Sequence, residues 1–257
     1  MKNLIEKHAR YYSARCNPVG QRNKMEAQHY GAKMAICSME GLTKFSLFDL
    51  TTWSYVSLDS KYARLLCDDA SVDTENGTGN LFYGSLHPDD LQQVCHAEEE
   101  TYRLLAKMPP DVRSDYFLAT PVRLRNGKGG YRHVMRRVID FKPGRKGEPW
   151  LLLIAVDVLE EEAGNFKETP MLINRRTKEL YRMPPGKPCT CEKLNLSERE
   201  LQVMQLAGMG FTNKEISEKL FLSIHTVATH RKNAYRDFGT GNIRIIYMML
   251  QLLGILD

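Results

Sequence analysis

Residues 196–233 read LSERELQVMQLAGMGFTNKEISEKLFLSIHTVATHRKN, and three helices can be laid out along them in succession. Ser197-Glu198-Arg199-Glu200 is a capping box: the serine hydroxyl accepts from the amide three residues on, and the glutamate reaches back to the serine amide. Leu201, Met204 and Ala207 then recur on one helical face, and Gly208 and Gly210 stop the helix. Thr212-Asn213-Lys214-Glu215 is a second capping box, opening a short helix with Ile216 and Leu220 inward. Phe221-Leu222 turns the chain, and Ser223 caps a third helix. Three short helices, the last two joined by a tight turn, predict a helix-turn-helix unit.

The third helix has two unlike faces. Val227, His230, Ala234 and Phe238 fall at steps of three and four and form an inward stripe. The opposite side carries His225, Thr226, Thr229, Lys232, Asn233 and Arg236, with no acid before Asp237. Short polar groups near a helix N-terminus let the backbone approach base edges, and cations further along reach phosphates.

The segment closely resembles the LuxR/GerE-type DNA-binding domain. The matching residues are Leu196, Ser197, Arg199, Glu200, Val203 and Met204, then Asn213-Lys214-Glu215-Ile216. They continue through Leu220, Leu222, Ser223, Thr226, Val227, His230, Arg231 and Asn233. The resemblance implies a four-helix domain whose third helix enters the major groove, usually as a dimer on two half-sites of double-stranded DNA. Carried over by position, Ala228, Thr229 and Lys232 face the bases. Thr212, Asn213 and Lys214 anchor the second helix to the DNA backbone, and Ser223, His225, Thr226, Arg231 and Arg236 lie near phosphates. Many members of the family have a lysine where this chain has Ala228, so one major-groove donor is missing, and the alanine offers only apolar contact, for example to a thymine methyl. The last helix, Asn242 to Leu253, is apolar nearly all round. In the family this helix pairs subunits; packing against the N-terminal half is the competing explanation for its surplus.

Working outward, residues 163–193 form a connector. It has one candidate hairpin (Met171 to Tyr181) and prolines at 184, 185 and 188; from 175 to 193 it carries six basic and two acidic residues. A basic, proline-bearing stretch predicts a linker between domains. Before it, two strands (Phe45 to Leu58), helical spacing over 61–106, and three strands (Tyr116 to Leu124, Tyr131 to Phe141, Trp150 to Leu159) predict an antiparallel sheet with helices on one face. His87-Pro88-Asp89-Asp90 opens one of the helices. This order resembles a PAS domain, most recognisably at His87-Pro88-Asp89-Asp90, around Tyr131-Arg132-His133-Val134, and where Trp150–Val156 runs into Asp157-Val158. Residues 1–41 alternate charged and apolar positions as N-terminal helices, one of them over Met25 to Ile36. The expected class is thus α+β: an N-terminal helical segment (1–41), a PAS-like domain (42–162), the linker (163–193) and an all-α four-helix helix-turn-helix domain (194–257).

PAS domains hold haem, flavin, small metabolites or nothing. The cysteine motif of a light-sensing flavin version is not found. Of the histidines available to a haem, His29, His87, His96 and His133, His87 precedes a proline in a turn, and lone histidines are more often structural. No cofactor is therefore predicted, and a small-molecule ligand of this domain is left open. Cys189-Thr190-Cys191 is too short for a zinc site. Asn126-Gly127-Lys128-Gly129-Gly130 lacks phosphate-loop spacing and reads as a hairpin turn. Nine basic residues against one acid between Pro121 and Lys146 could touch nucleic acid, although a solvated sheet face accounts for much of them. Glu98-Glu99-Glu100 reads as a solvated helix face.

The 257 residues, 36 Lys+Arg against 31 Asp+Glu and net charge of +5 tilt mildly toward an anionic partner. The longest apolar run, Trp150 to Val156, is far short of a membrane span. The charged N-terminus has no signal-peptide core, and the six scattered cysteines suit a reducing compartment, so a cytoplasmic protein is expected. No catalytic constellation can be assembled, and no metal site. The reading is a dimeric, sequence-specific transcription regulator whose PAS-like domain senses a signal or mediates dimerisation, with RNA polymerase as a further partner. The alternatives are a ligand-binding sensor whose helix-turn-helix contacts proteins, and an enzyme with an appended regulatory domain.

Overall fold

The computed structural model describes residues 2–13, 26–28, 30, 45–66, 80–126, 128–144, 148–160 and 168–256. The helix expected over Met25 to Ile36 falls mostly outside them, as does His29. Helix α1 (Lys2–Ser13) precedes strands β1 (Phe45–Asp49) and β2 (Ser54–Ser57). Helices α2 (Ser60–Leu66), α3 (Asn80–Ser85) and α4 (Pro88–Leu105) follow, then β3 (Tyr116–Arg125), β4 (Tyr131–Pro143) and β5 (Pro149–Glu160). His87 caps α4 as its sequence suggests, its ring nitrogen accepting from the Asp89 amide, with proline in the first turn. Asn126 closes the β3–β4 turn: its amide donates to the Gly130 carbonyl at 2.9 Å, and its side-chain oxygen accepts from the Gly130 amide.

The expected linker carries strands. β6 (Met171–Asn174), β7 (Glu179–Arg182) and β8 (Thr190–Lys193) continue the sheet beyond β3. The eight strands run in the order β2-β1-β5-β4-β3-β6-β7-β8, every neighbour antiparallel. The hairpin was legible in the sequence. Its docking on β3 was not, because Met171-Leu172-Ile173 is apolar on both faces and gives no alternation to orient it.

Four helices close the chain: α5 (Glu198–Gly208), α6 (Asn213–Leu220), α7 (Ile224–Phe238) and α8 (Ile243–Leu252). They pack on the second face of the sheet. Because side chains alternate along a strand, β3, β4 and β5 serve two cores at once. Val122, Leu124, Val134 and Ile154 join the N-terminal helices. Phe117, Ala119, Met135 and Leu159 join Phe238, Ile245, Ile246, Met249 and Leu253. Strands covered on both faces need near-continuous apolar sequence, and Tyr116 to Val122 is buried at every position.

Candidate functional site

The helix-turn-helix is built by its local chemistry. Both capping boxes form: Ser197 and Thr212 accept from the amides of Glu200 and Glu215, whose carboxylates accept from the cap amides. Ser223 accepts from the Thr226 amide at 3.0 Å. Phe221, between α6 and α7, lies in the left-handed region with its ring 94% exposed. Gly208 has a second role besides ending α5. A Cβ there would lie 2.0 Å from the Tyr247 ring, so the bare glycine lets α8 close on α5.

The predicted contact residues all fall on α6, α7 and their caps. Thr212, Lys214, Ser223, His225, Ala228, Thr229, Lys232 and Arg236 are exposed. Val227, Ala234 and Phe238 are buried beneath them, and His230 is half-buried. Asn213 and Arg231 are engaged with each other instead: Arg231 Nη1 donates to Asn213 Oδ1 at 2.7 Å, and Nη2 donates to the Tyr235 hydroxyl at 2.6 Å. This clamp ties the start of α6 to the middle of α7.

The apolar surplus of α8 has a destination. Ile245, Ile246, Met249 and Leu250 are buried, in one cluster with β3, β4 and β6 residues. Two cations of the β6–β7 hairpin hold the arrangement. Arg182 Nη1 donates to the Phe238 carbonyl at 2.8 Å and Nη2 donates to the Asp237 carbonyl, while Lys178 Nζ donates to the Leu253 carbonyl. These carbonyls end α7 and follow α8, where the helix dipole favours positive charge. Arg244 Nη1 donates to the Leu159 carbonyl at 2.7 Å.

Among the nine basic residues of 121–146, Arg123 is held in an ion pair with Asp90 at 2.5 Å, Arg136 with Glu98 at 2.6 Å and Arg137 with Asp157 at 2.5 Å. The expectation of a solvated Glu98 is corrected. Glu98 is 8% exposed and accepts from Arg136 Nη1, His8 Nε2 and the Tyr83 hydroxyl within 2.7 Å. Burial opposes its charge, but the Arg136 guanidinium and the bonds from His8 and Tyr83 outweigh burial and hold it at about 2. His8 is 1% exposed. Burial opposes its charge as well, yet hydrogen bonding to Cys95, Glu98 and Glu99 pushes it up to about 11. Arg136, 4% exposed, rests on the Phe82 ring at 4.3 Å; burial works against its charge and Glu98 more than restores it. This network borders a cavity of about 60 Å³ between α4, the sheet and Tyr12 of α1.

Sequence reading missed this group, although α4 held the signal. Leu91, Val94, Cys95 and Leu105 are its buried stripe, and Glu98 falls on that stripe at helical spacing. Arg136 likewise lies between Val134 and Val138 on the inward face of β4.

Residues 194–250 match the family model for bacterial regulatory proteins of the luxR family, so this domain is a GerE/LuxR-type helix-turn-helix domain. Such domains define a class of DNA-binding transcription regulators. Among individual proteins, the chain is similar to the oxygen regulatory protein NreC of Staphylococcus aureus, 46% identical over 117 residues. That alignment takes in 45% of this chain and 48% of NreC, so the chain spans about half the length of the curated relatives it matches. Among solved structures, the VqmA dimer of Vibrio cholerae aligns over 86% of this chain and 87% of its own at 14% identity and a TM-score of 0.33. VqmA bound to DPO aligns over 87% and 89% at 14% identity and 0.31. Among the described residues no helix is long and apolar enough to cross a membrane.

Proposed function

We propose that the protein is a sequence-specific DNA-binding regulator of transcription, acting as a dimer on two half-sites, with residues 42–162 as a PAS-like sensory domain. One observation carries the DNA-binding part: the outer face of α7 is exposed, capped at its N-terminus by Ser223 and free of acids until Asp237. Ala228, Thr229 and Lys232 read bases from it. Thr212 and Lys214 on α6 and Ser223, His225, Thr226 and Arg236 on α7 reach the phosphates. Asn213 and Arg231 hold the two helices at the reading angle.

The sensory reading is supported by the order β2-β1-β5-β4-β3 of the first five strands, with the N-terminal helices on one face, an arrangement like that of PAS domains. Regulation follows from the packing of α8. A dimer formed through this helix needs apolar surface that now lies on the sheet, so the docked arrangement disfavours pairing. A signal that loosens the docking shifts the population toward the paired state.

The test replaces Thr229 and Lys232 together with alanine in the full chain. Affinity for a selected duplex, read by fluorescence anisotropy, should fall by at least tenfold while the melting temperature stays put. Unchanged affinity contradicts the reading and favours a helix-turn-helix that contacts proteins.

A further inference from the structure

Two residues that line the cavity beside Glu98 carry a donor without a partner. Trp53 Nε1 and Arg136 Nε are buried, neither has a hydrogen-bond partner, and both residues line the cavity. A buried N–H without an acceptor costs the fold its desolvation, so an acceptor supplied to either donor would be favourable.

Other polar groups around the cavity are satisfied. Glu98 accepts three bonds, the Tyr55 and Tyr62 hydroxyls meet at 3.3 Å, and Thr101 donates to Met183 Sδ at 3.7 Å. Charge is balanced as well. Both ring nitrogens of His8 face carboxylates, Glu98 at 2.7 Å and Glu99 at 3.4 Å, so the ring is a cation. His8 and Arg136 thus offset Glu98 and Glu99, and an ionised guest would find no net opposite charge to compensate its burial. The rest of the wall is aromatic and aliphatic, including Phe48, Phe82 and Leu152. At about 60 Å³ the cavity has room for a small organic guest.

We propose that this cavity binds a compact, uncharged, mainly apolar molecule bearing an acceptor oxygen or nitrogen of the ketone, ester or amide kind, held by Trp53 Nε1 and Arg136 Nε. The proposal deepens the sensory reading of residues 42–162 and rests on it for its regulatory consequence. The even-numbered residues Arg136 and Val138 of β4 border the cavity, while Met135 and Ile139 on its other face join the core shared with α8. A guest therefore acts one strand's thickness from the docked DNA-binding domain.

The chain's two tryptophans supply the test. The Trp150 indole donates to Asp49 Oδ2 at 3.2 Å and serves as an internal reference. Full-length protein labelled at the indole nitrogens is titrated with 2-butanone, with cyclopentane (no acceptor) and with butyrate (charged), and the two indole resonances are followed by NMR. The Trp53 resonance should move saturably with 2-butanone only, and the Trp150 resonance should stay. Trp53→Phe should weaken 2-butanone binding at least tenfold in ligand-observed NMR. A still Trp53 resonance, or equal movement with cyclopentane or butyrate, overturns the proposal. DNA affinity measured on the same samples separates the two readings: a saturable Trp53 response without any change in DNA affinity supports the site and removes its sensory role.

Discussion

Arg182 on β7 donates from both its terminal nitrogens to the end of α7, reaching the Phe238 carbonyl at 2.8 Å and the neighbouring Asp237 carbonyl. The contact joins the sheet to the DNA-binding domain across 56 residues of sequence. It also explains Gly239, which has a φ of +66° and where a Cβ would lie 2.4 Å from Arg182 Nη1.

Arg182→Ala should therefore loosen the docking. Hydrogen bonds from a charged group are each worth about 1.5–3 kcal/mol, so thermal stability should fall. DNA affinity should rise by up to about tenfold, which corresponds to about 1.4 kcal/mol, because α8 is freed to pair. Calorimetry and anisotropy on the same preparation check this. A less stable protein with unaltered affinity means that docking does not limit binding.

Lys232 and Arg231 are adjacent in sequence and should fail differently. Lys232 is exposed and assigned to a base edge, so Lys232→Ala should leave the melting temperature unchanged and lower affinity for the selected duplex with little change in the slope of log affinity against log salt. Arg231→Ala breaks the clamp to Asn213 and Tyr235 and should lower both stability and affinity. Equal effects from the two substitutions would contradict the clamp.

Ser197→Ala removes the first capping box and should cost about 1 kcal/mol, or about 2–4 °C in melting temperature. Ser197→Asp keeps an acceptor and should retain most of the stability. Circular dichroism melts distinguish the two.

The buried network sets a pH dependence of stability. His8, raised from 6.5 to about 11, contributes stability that is fully present below pH 6.5 and lost as pH rises toward 11. Glu98, lowered from 4.5 to about 2, contributes stability that is present above pH 4.5 and lost as pH falls toward 2. The two together stabilise most between pH 4.5 and 6.5. Glu98→Gln should destabilise by about 3–5 kcal/mol, since it leaves Arg136 and His8 buried without their carboxylate. It should also flatten the fall in melting temperature from about pH 7 to about pH 10, because His8 then titrates nearer its ordinary value. Melts across that range check it, and an unchanged slope contradicts the coupling.

These elements were unequally legible in the sequence. The helix-turn-helix could be read in detail because its signals are local: a cap and its partner lie three residues apart, as Ser197–Glu200 and Thr212–Glu215 do. Hairpins were legible from turn residues such as Asn126. The Glu98 network was not, because Arg136 comes from 38 residues away and His8 from 90. A run of three glutamates hides the fact that successive helical positions diverge by about 100°, so only the first is fully buried. The connector's positive charge was visible, but not that Lys178 and Arg182 spend it on the ends of distant helices. The apolar excess of α8 announced a second buried face with two candidate partners, another subunit or the N-terminal half, and only the long-range packing places it on the sheet.

The most direct measurement of DNA recognition is selection of bound duplexes from a random pool by the full-length protein at two salt concentrations. Enrichment of a two-part site with half-sites about one helical turn apart (~34 Å), weakening as salt rises, is the expected result. Binding without enrichment, or enrichment of a single unpaired half-site, would contradict dimeric sequence-specific recognition.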